Sequence, residues 1–199
     1  MKQKQEKTIG CFDKYSKEYE NWFEINDIYY NEELQIIKDI IGDTQNGLEI
    51  GMGTGRFAVQ PNIVIGIEPS KNMREVALSK GLNVIDGIAE DLPFENETFD
   101  FALMMTSICF VQDPQKALKE AFRVIKKNGF LIISFVDKNS ELGKQYEANK
   151  DKSKFYLHAT FYSAAEILAL CNSVGFKKTK ERKYQNNNIS IVFDVFSKN

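Results

Sequence analysis

From Gly47 onward, short apolar runs alternate with amphipathic segments, the pattern of an α/β fold with a mainly parallel sheet. Strands are expected over 47–50, 63–68, 82–86, 100–105 and 130–136, several of them apolar at nearly every position, as strands covered on both faces are. Between them, 71–80 and 114–126 read as helices. Asp113 can cap the second, Pro114 takes its first position and Gly129 lies just past its expected end. Its residues Ala117, Leu118, Ala121, Phe122 and Ile125 follow the i, i+3/i+4 spacing of one buried face. A helix over 163–174 has Ser163 as cap and Gly175 as stop. The runs 178–184 and 189–196, separated by Gln185-Asn186-Asn187-Asn188, predict a hairpin that closes the sheet with an antiparallel strand. The stretch 137–160 is polar and weakly periodic, an excursion from the sheet.

The segment before Gly47 does not alternate. Phe12, Tyr15, Tyr19, Trp22 and Phe23 recur at intervals of three and four, an aromatic stripe on one helical face. Such a stripe either packs on the domain as core or forms a lid that closes over a ligand and excludes water. The expected organisation is a helical cap over 1–44 and one domain over 45–199 that carries the 137–160 excursion.

Composition narrows the class. The 199 residues carry 26 Lys+Arg against 28 Asp+Glu, a formal charge of −2, which argues against a chain built to grip a polyphosphate. A hydrophobic fraction of 43% with 27% charge is that of a globular domain, and at this length roughly 70% of the unfolded surface can be buried without a disulfide. The three cysteines, Cys11, Cys109 and Cys171, are scattered and form no C-x-x-C, which suits a reducing compartment. Met1 to Lys7 is hydrophilic with no apolar run behind it, and no stretch approaches the ~20 residues of a membrane span. A cytoplasmic location is expected, with neither membrane nor nucleic acid as partner.

The chemistry concentrates in Leu48-Glu49-Ile50-Gly51-Met52-Gly53-Thr54-Gly55-Arg56. A strand ends at Gly51, and glycine at every second position lets the backbone turn sharply and approach a bound molecule. A helix expected after it would aim its first N–H groups at that ligand. The third glycine of the dinucleotide fingerprint would fall at Arg56, and no Gly-Lys-Ser/Thr of a P-loop follows. Glu68, at the end of the next strand, can accept both hydroxyls of a ribose, or it can serve as an acidic cap before Pro69-Ser70. Gly87-Ile88-Ala89-Glu90-Asp91-Leu92-Pro93-Phe94 is a loop at the carboxyl end of a strand, where the backbone at Ile88–Glu90 could read an adenine edge and Glu90 accept from its amino group. Together these elements predict a nucleoside cofactor without a phosphate anchor.

In this order the motifs resemble the class I S-adenosylmethionine-dependent methyltransferases of the type 11 domain group. The resemblance covers roughly 45–136, through the glycine motif, the ribose acid Glu68, the AEDLPF loop followed by Phe99-Asp100, and the run Asp113-Pro114, Ala117-Leu118, Glu120, Arg123-Val124, Gly129. It implies a Rossmann-like seven-stranded sheet in the order 3-2-1-4-5-7-6, with helices on both faces and an N-terminal helical lid. It implies S-adenosyl-L-methionine as cofactor and S-adenosyl-L-homocysteine as product, with no metal. The cofactor-binding residues it implies are Tyr19, Glu49, Gly51, Gly53, Thr54, Gly55, Glu68, Pro69, Ser70, Met73, Ile88, Ala89, Glu90, Thr106 and Ser107. The chain departs from the family at Ile88, where an aspartate is common, at Ile125-Lys126-Lys127-Asn128-Gly129, and at Cys109-Phe110, where many members carry histidine.

In-line methyl transfer needs a general base only if the acceptor is protonated. Tyr15 and Tyr19, through resemblance to the family's N-terminal helix, and His158, the one histidine, are the candidates. Cys109 reads as a buried core thiol, or as a site of thiol chemistry and arsenical binding. The basic run Lys177 to Lys183 reads as a solvated edge strand whose lysines block edge pairing. The implied activity is methyl transfer to a small-molecule acceptor. A non-catalytic protein that binds S-adenosylmethionine or S-adenosylhomocysteine is the alternative, and Arg56 disfavours a nicotinamide-dependent oxidoreductase.

Overall fold

In the computed structural model, which describes residues 2–58, 61–186 and 189–199, seven strands build one mixed sheet. They are β1 (Gly47–Ile50), β2 (Ile63–Ile67), β3 (Val84–Ile85), β4 (Phe99–Met105), β5 (Ile125–Phe135), β6 (Lys177–Asn186) and β7 (Ile189–Ser197). Their order is β3-β2-β1-β4-β5-β7-β6, the Rossmann-like arrangement expected above. The strands from β3 to β5 pair in parallel, while β7 is antiparallel to both β5 and β6. Asn187 and Asn188 of the expected hairpin link lie outside the described residues; β6 runs to Asn186 and β7 resumes at Ile189.

Seven helices occur among the described residues: α1 (Lys2–Lys14), α2 (Ser16–Ile25), α3 (Asp27–Ile41), α4 (Lys71–Ser79), α5 (Pro114–Val124), α6 (Glu141–Ala148) and α7 (Ala164–Val174). Side chains written into the sequence start and stop them. Ser70 accepts from the Met73 N–H and Asp113 from the Lys116 N–H. Ser163 and Glu166 form a reciprocal capping box, and Gly175, at φ 107°, ends α7 in the left-handed region. Along β4 the burial alternates between faces. Ala102 and Met104 pack with Leu118 and Ala121 of α5 and Ile167 and Cys171 of α7, whereas Phe101 and Leu103 pack with Ile37 and Ile41 of α3 and Ala77 of α4. Among the described residues, no helix is long and apolar enough to cross a membrane.

Three local expectations are corrected. First, α5 stops at Val124 rather than 126, and β5 begins at Ile125, paired with Phe99. Gly129 is therefore not the helix stop. It lies inside β5, where a Cβ would fall 2.5 Å from the Asp100 carbonyl oxygen. Second, among the described residues no helix follows the glycine turn: residues 51–58 form successive turns, and β2 starts at Ile63. Phe57 instead fills that face, edge-on to Phe23 of α2 and Tyr30 of α3. Third, the aromatic stripe is not one helix, because α1 ends before Tyr15 and α2 ends before Asn26. The polar 137–160 stretch is the excursion from the sheet that was expected, and it holds α6 and short 3-10 turns at Lys150–Lys152 and Tyr156–His158. As a group, α1, α2 and this excursion lie over the carboxyl ends of the strands, with Phe12 packed on Phe155 and the Cys11 Sγ donating to the Lys154 carbonyl.

Candidate active site

A cavity of about 280 Å³ opens at the carboxyl ends of β1, β2 and β4, under α1 and α2. This is where open α/β sheets hold ligands, because the strand order reverses beside β1. The glycine turn forms one wall. The Gly51 and Met52 N–H groups both donate to the Ile67 carbonyl at 2.8 and 2.9 Å, folding the chain back over β2. Gly51 has φ +77°, and a Cβ there would sit 2.7 Å from the Ser107 Cβ. Ser107 itself is held by its Oγ donating to the Ile50 carbonyl at 2.8 Å. Beside it Thr106 adopts φ +47°, an uncommon backbone for a β-branched residue and a point of strain on the cavity wall.

Glu68 joins this turn to the start of α4. Its Oε2 accepts from the Gly53 N–H and its Oε1 from the Ser70 N–H, both at 2.8 Å, and the residue is 7% exposed. Burial lifts its pKa from 4.5 to about 7 despite those two N–H donors and the nearby Arg74. Glu49 lies within β1, wholly buried, with an Oε2 that has no hydrogen-bond partner; burial, and then the Glu68 charge, push its pKa well above the ordinary value. Glu90 lines the opposite wall, where its Oε1 accepts from the Gln112 and Asp113 N–H groups at 2.8 and 3.1 Å.

Arg56, the residue in place of a third glycine, clamps the lid. Its guanidinium lies 2.7 Å from the Glu20 carboxylate of α2 and over the rings of Phe23 and Tyr30. Lys80 reaches the same carboxylate at 2.9 Å and also donates to the Thr54 carbonyl. Asp13, near the end of α1, accepts from the Ser70 hydroxyl at 2.7 Å and from the Asn72 N–H at 2.9 Å.

Of the residues named from sequence, Tyr19, Gly51, Gly53, Glu68, Pro69, Met73, Ile88, Ala89, Glu90, Thr106 and Ser107 lie together on the cavity wall. Glu49, Thr54, Gly55 and Ser70 do not reach it. They stand behind it: Gly55 is packed against Leu82, and Ser70 caps α4. Tyr15 and His158 are also off the cavity wall, Tyr15 lying against Phe155 and beneath the amines of Lys14 and Lys154. Cys109 is buried beside Ala159 and Phe161, outside the wall, and burial pushes its thiol up to about 12.

The cavity also gathers residues that the sequence pattern did not single out. Tyr146, Phe155 and Tyr156 come from the polar-looking excursion, and Glu33 comes from α3. Glu33 had one available signal: with Ile37 and Ile41 it falls on the buried stripe of α3, a charge at an apolar position.

Comparison with known proteins matches a methyltransferase domain family over residues 48–133. An uncharacterized protein of Methanocaldococcus jannaschii is 47% identical over 172 residues, 86% of this chain and 83% of that one. An "uncharacterized methyltransferase" of Alkaliphilus oremlandii is 33% identical, covering 87% of this chain and 92% of its own. A crystal structure from Thermotoga maritima, described as a "SAM-dependent methyltransferase, possible histamine N-methyltransferase", superposes with a TM-score of 0.88 at 41% identity, covering 96% of this chain and 100% of that one.

Proposed function

Because the chain belongs to the class I S-adenosylmethionine-dependent methyltransferases, a fold that implies S-adenosylmethionine binding, we propose that it transfers a methyl group from that cofactor to a small-molecule acceptor in the aromatic half of its cavity. The observation that carries this reading is the Glu68 carboxylate, fixed against the Gly53 N–H on the cavity wall. Each of its oxygens takes a single backbone N–H and keeps a lone pair for a ribose hydroxyl. Among the described residues the turn opens no helix, so it supplies none of the converging N–H groups that a helix N-terminus gives a pyrophosphate. The residues therefore fit a nucleoside cofactor of this kind.

When bound, the cofactor supplies a methyl carbon on a positively charged sulfur, and the protein's task is to position an acceptor atom against it. The backbone at Gly51 and Gly53 lets the cofactor approach β1, Ile88 and Ala89 offer an apolar slot for the base, and Met73 packs beside Glu68. Thr106 and Ser107 border the reacting region, and Tyr19 shields it from water, edge-on to Phe12, Phe23 and Phe155. Glu49, Thr54, Gly55 and Ser70 shape this wall from behind. An aromatic-lined cavity of this size suits a small acceptor, in line with the description of the Thermotoga protein as a possible histamine N-methyltransferase.

Calorimetric titration with S-adenosylmethionine, S-adenosylhomocysteine and NAD tests the reading. Binding of the first two with no NAD binding is expected, and NAD binding alone would overturn it. A labelled-methyl screen over metabolite pools then tests turnover; tight cofactor binding with no transfer to any pool would favour a binding protein without catalysis.

A further inference from the structure

We propose that Glu33 receives the acceptor and that the acceptor is an amine: the Glu33 carboxylate binds the ammonium form and takes one proton from it, leaving a neutral nitrogen facing the methyl donor. This rests on the methyltransferase reading above and adds to it an acceptor class and a catalytic residue.

Glu33 is only 5% exposed, lies on the cavity wall, and has no hydrogen bond or ion pair with any described residue. Buried carboxyl groups are ordinarily paired, so a lone one on a cavity is a group waiting for a partner that arrives with a ligand. The other two carboxylates on this wall already have donors. Glu68 holds Gly53 and Ser70, and Glu90 holds Gln112 and Asp113. Among the described residues no lysine, arginine or histidine lines the cavity. The wall thus offers three carboxyl groups and no cation, which repels an anionic acceptor and favours a cationic one. Rings of Tyr19, Tyr146, Phe155 and Tyr156 surround the same space, and aromatic faces attract ammonium groups.

Electrostatics agree with the geometry. Burial alone raises Glu33 from 4.5 to about 8. Burial, with a smaller contribution from the Glu33 charge, pushes the hydroxyls of Tyr19 on α2 and Tyr146 on α6 above their ordinary range, so both remain neutral donors at working pH. The hydroxyl of Tyr156, on the adjoining 3-10 turn, is also held neutral by burial. The same dry surroundings lower the pKa of an ammonium from its usual value of about 10. Burial thus narrows the usual gap between the acid and the amine, which lowers the cost of passing a proton from one to the other.

The step balances as follows. One N–H proton passes from R–NH3+ to the Glu33 carboxylate, giving R–NH2 and a carboxylic acid. The nitrogen lone pair forms the N–C bond while the methyl–sulfur bond breaks, and its electron pair stays on sulfur as a neutral thioether. The product leaves as an N-methylammonium ion, and Glu33 returns its proton to solvent.

The test uses the full chain loaded with S-adenosylhomocysteine and a set of arylalkylamines headed by 2-phenylethylamine, with 2-phenylethanol and 3-phenylpropanoate as uncharged and anionic counterparts. Carbon-13 NMR of labelled glutamate carboxyls should show one group, absent in Glu33→Gln, titrating near pH 8 and moving to lower pH when an amine is added. Labelled-methyl transfer should favour amines over both counterparts. Glu33→Gln should lower kcat/KM for the amine by about 100-fold and flatten its pH profile, with partial recovery in Glu33→Asp. S-adenosylhomocysteine affinity should stay within twofold in both variants. The proposal is overturned if no amine in the set binds, if the carboxylate is the preferred acceptor, or if Glu33→Gln turns over amines like the parent. Failure of the parent protein to bind S-adenosylhomocysteine would instead strike the methyltransferase reading, and this proposal with it.

Discussion

Replacing Glu68 by glutamine separates ligand recognition from fold stability, because two large terms oppose each other at that position. The carboxylate accepts two backbone N–H groups at 2.8 Å in a site 7% exposed. A glutamine can accept one of them through its single oxygen, and its amide nitrogen then faces the other as donor against donor. One buried N–H left unpaired costs about 1–3 kcal/mol. Against this, the native carboxyl is itself unfavourable in the fold, because burial raises it from 4.5 to about 7. At 1.36 kcal/mol for each tenfold change in proton affinity, holding it in the fold at neutral pH costs about 3 kcal/mol, and glutamine escapes that cost. The sign follows from a folded pKa above the unfolded one. The contribution of Glu68 is fully present below pH 4.5 and is lost as the pH rises through about 7. The net change in stability should therefore lie within about 2 kcal/mol of zero at neutral pH, and glutamine should gain on the parent between pH 5 and 8. Affinity for S-adenosylhomocysteine has no such compensation. Losing a ribose acceptor should cost about 1–3 kcal/mol, roughly 5- to 150-fold in Kd. Thermal melts across that pH range and calorimetric titration measure the two quantities on one preparation. Unchanged affinity in a folded variant would refute the ribose assignment.

Four other outcomes are expected. Glu33→Gln should raise the melting temperature, and more at pH 9 than at pH 5, because a carboxyl lifted from 4.5 to about 8 loses its contribution as the pH climbs through that window, with a ceiling of about 4–5 kcal/mol; a variant less stable at pH 9 would show that Glu33 has a partner in the fold. Gly51→Ala forces a Cβ to within 2.7 Å of the Ser107 Cβ at φ +77° and should cost about 1–3 kcal/mol in melting experiments while weakening S-adenosylhomocysteine binding; normal values for both would remove Gly51 from the cofactor wall. Arg56→Ala removes the main clamp on Glu20 and should speed amide hydrogen exchange across α1 and α2 while leaving the sheet protected, whereas uniform protection would mean the lid is held by its apolar contacts alone. Cys109, with its thiol pushed up to about 12, should resist aromatic disulfide reagents at pH 8 in the folded protein and react once unfolded in urea; fast modification of the native protein would contradict its burial.

Much of this molecule can be read along the chain, and the places where reading fails share a cause. The strands β1, β2 and β4, the start of α4 and the caps of α5 and α7 sit within one or two residues of where pattern and capping chemistry put them, because their causes are local. The end of α5 was displaced because Gly129 has two uses, as a helix stop and as a site of close backbone approach, and only the Asp100 carbonyl beside it decides between them. Among the described residues no helix follows the glycine turn; Phe57 packs there with Phe23 and Tyr30, residues that lie far upstream and that local pattern does not connect to it. The excursion over 137–160 looked featureless because Tyr146, Phe155 and Tyr156 follow no helical or strand period, although tertiary contacts bring them to one cavity.

What the sequence by itself determined is the sheet and its glycine turn: alternating apolar runs, glycines at every second position, and an acid at the end of the next strand require only neighbours in the chain. What tertiary structure alone decided is the aromatic side of the cavity. Its wall is assembled from α1, α2, α3 and the excursion, segments far apart in sequence, and Glu33 stands out only there. A glutamate among the other acidic residues of α3 is ordinary when in water. Buried beside aromatic rings with no partner, its ionised form carries a desolvation cost that protonation relieves and that a cationic ligand would offset.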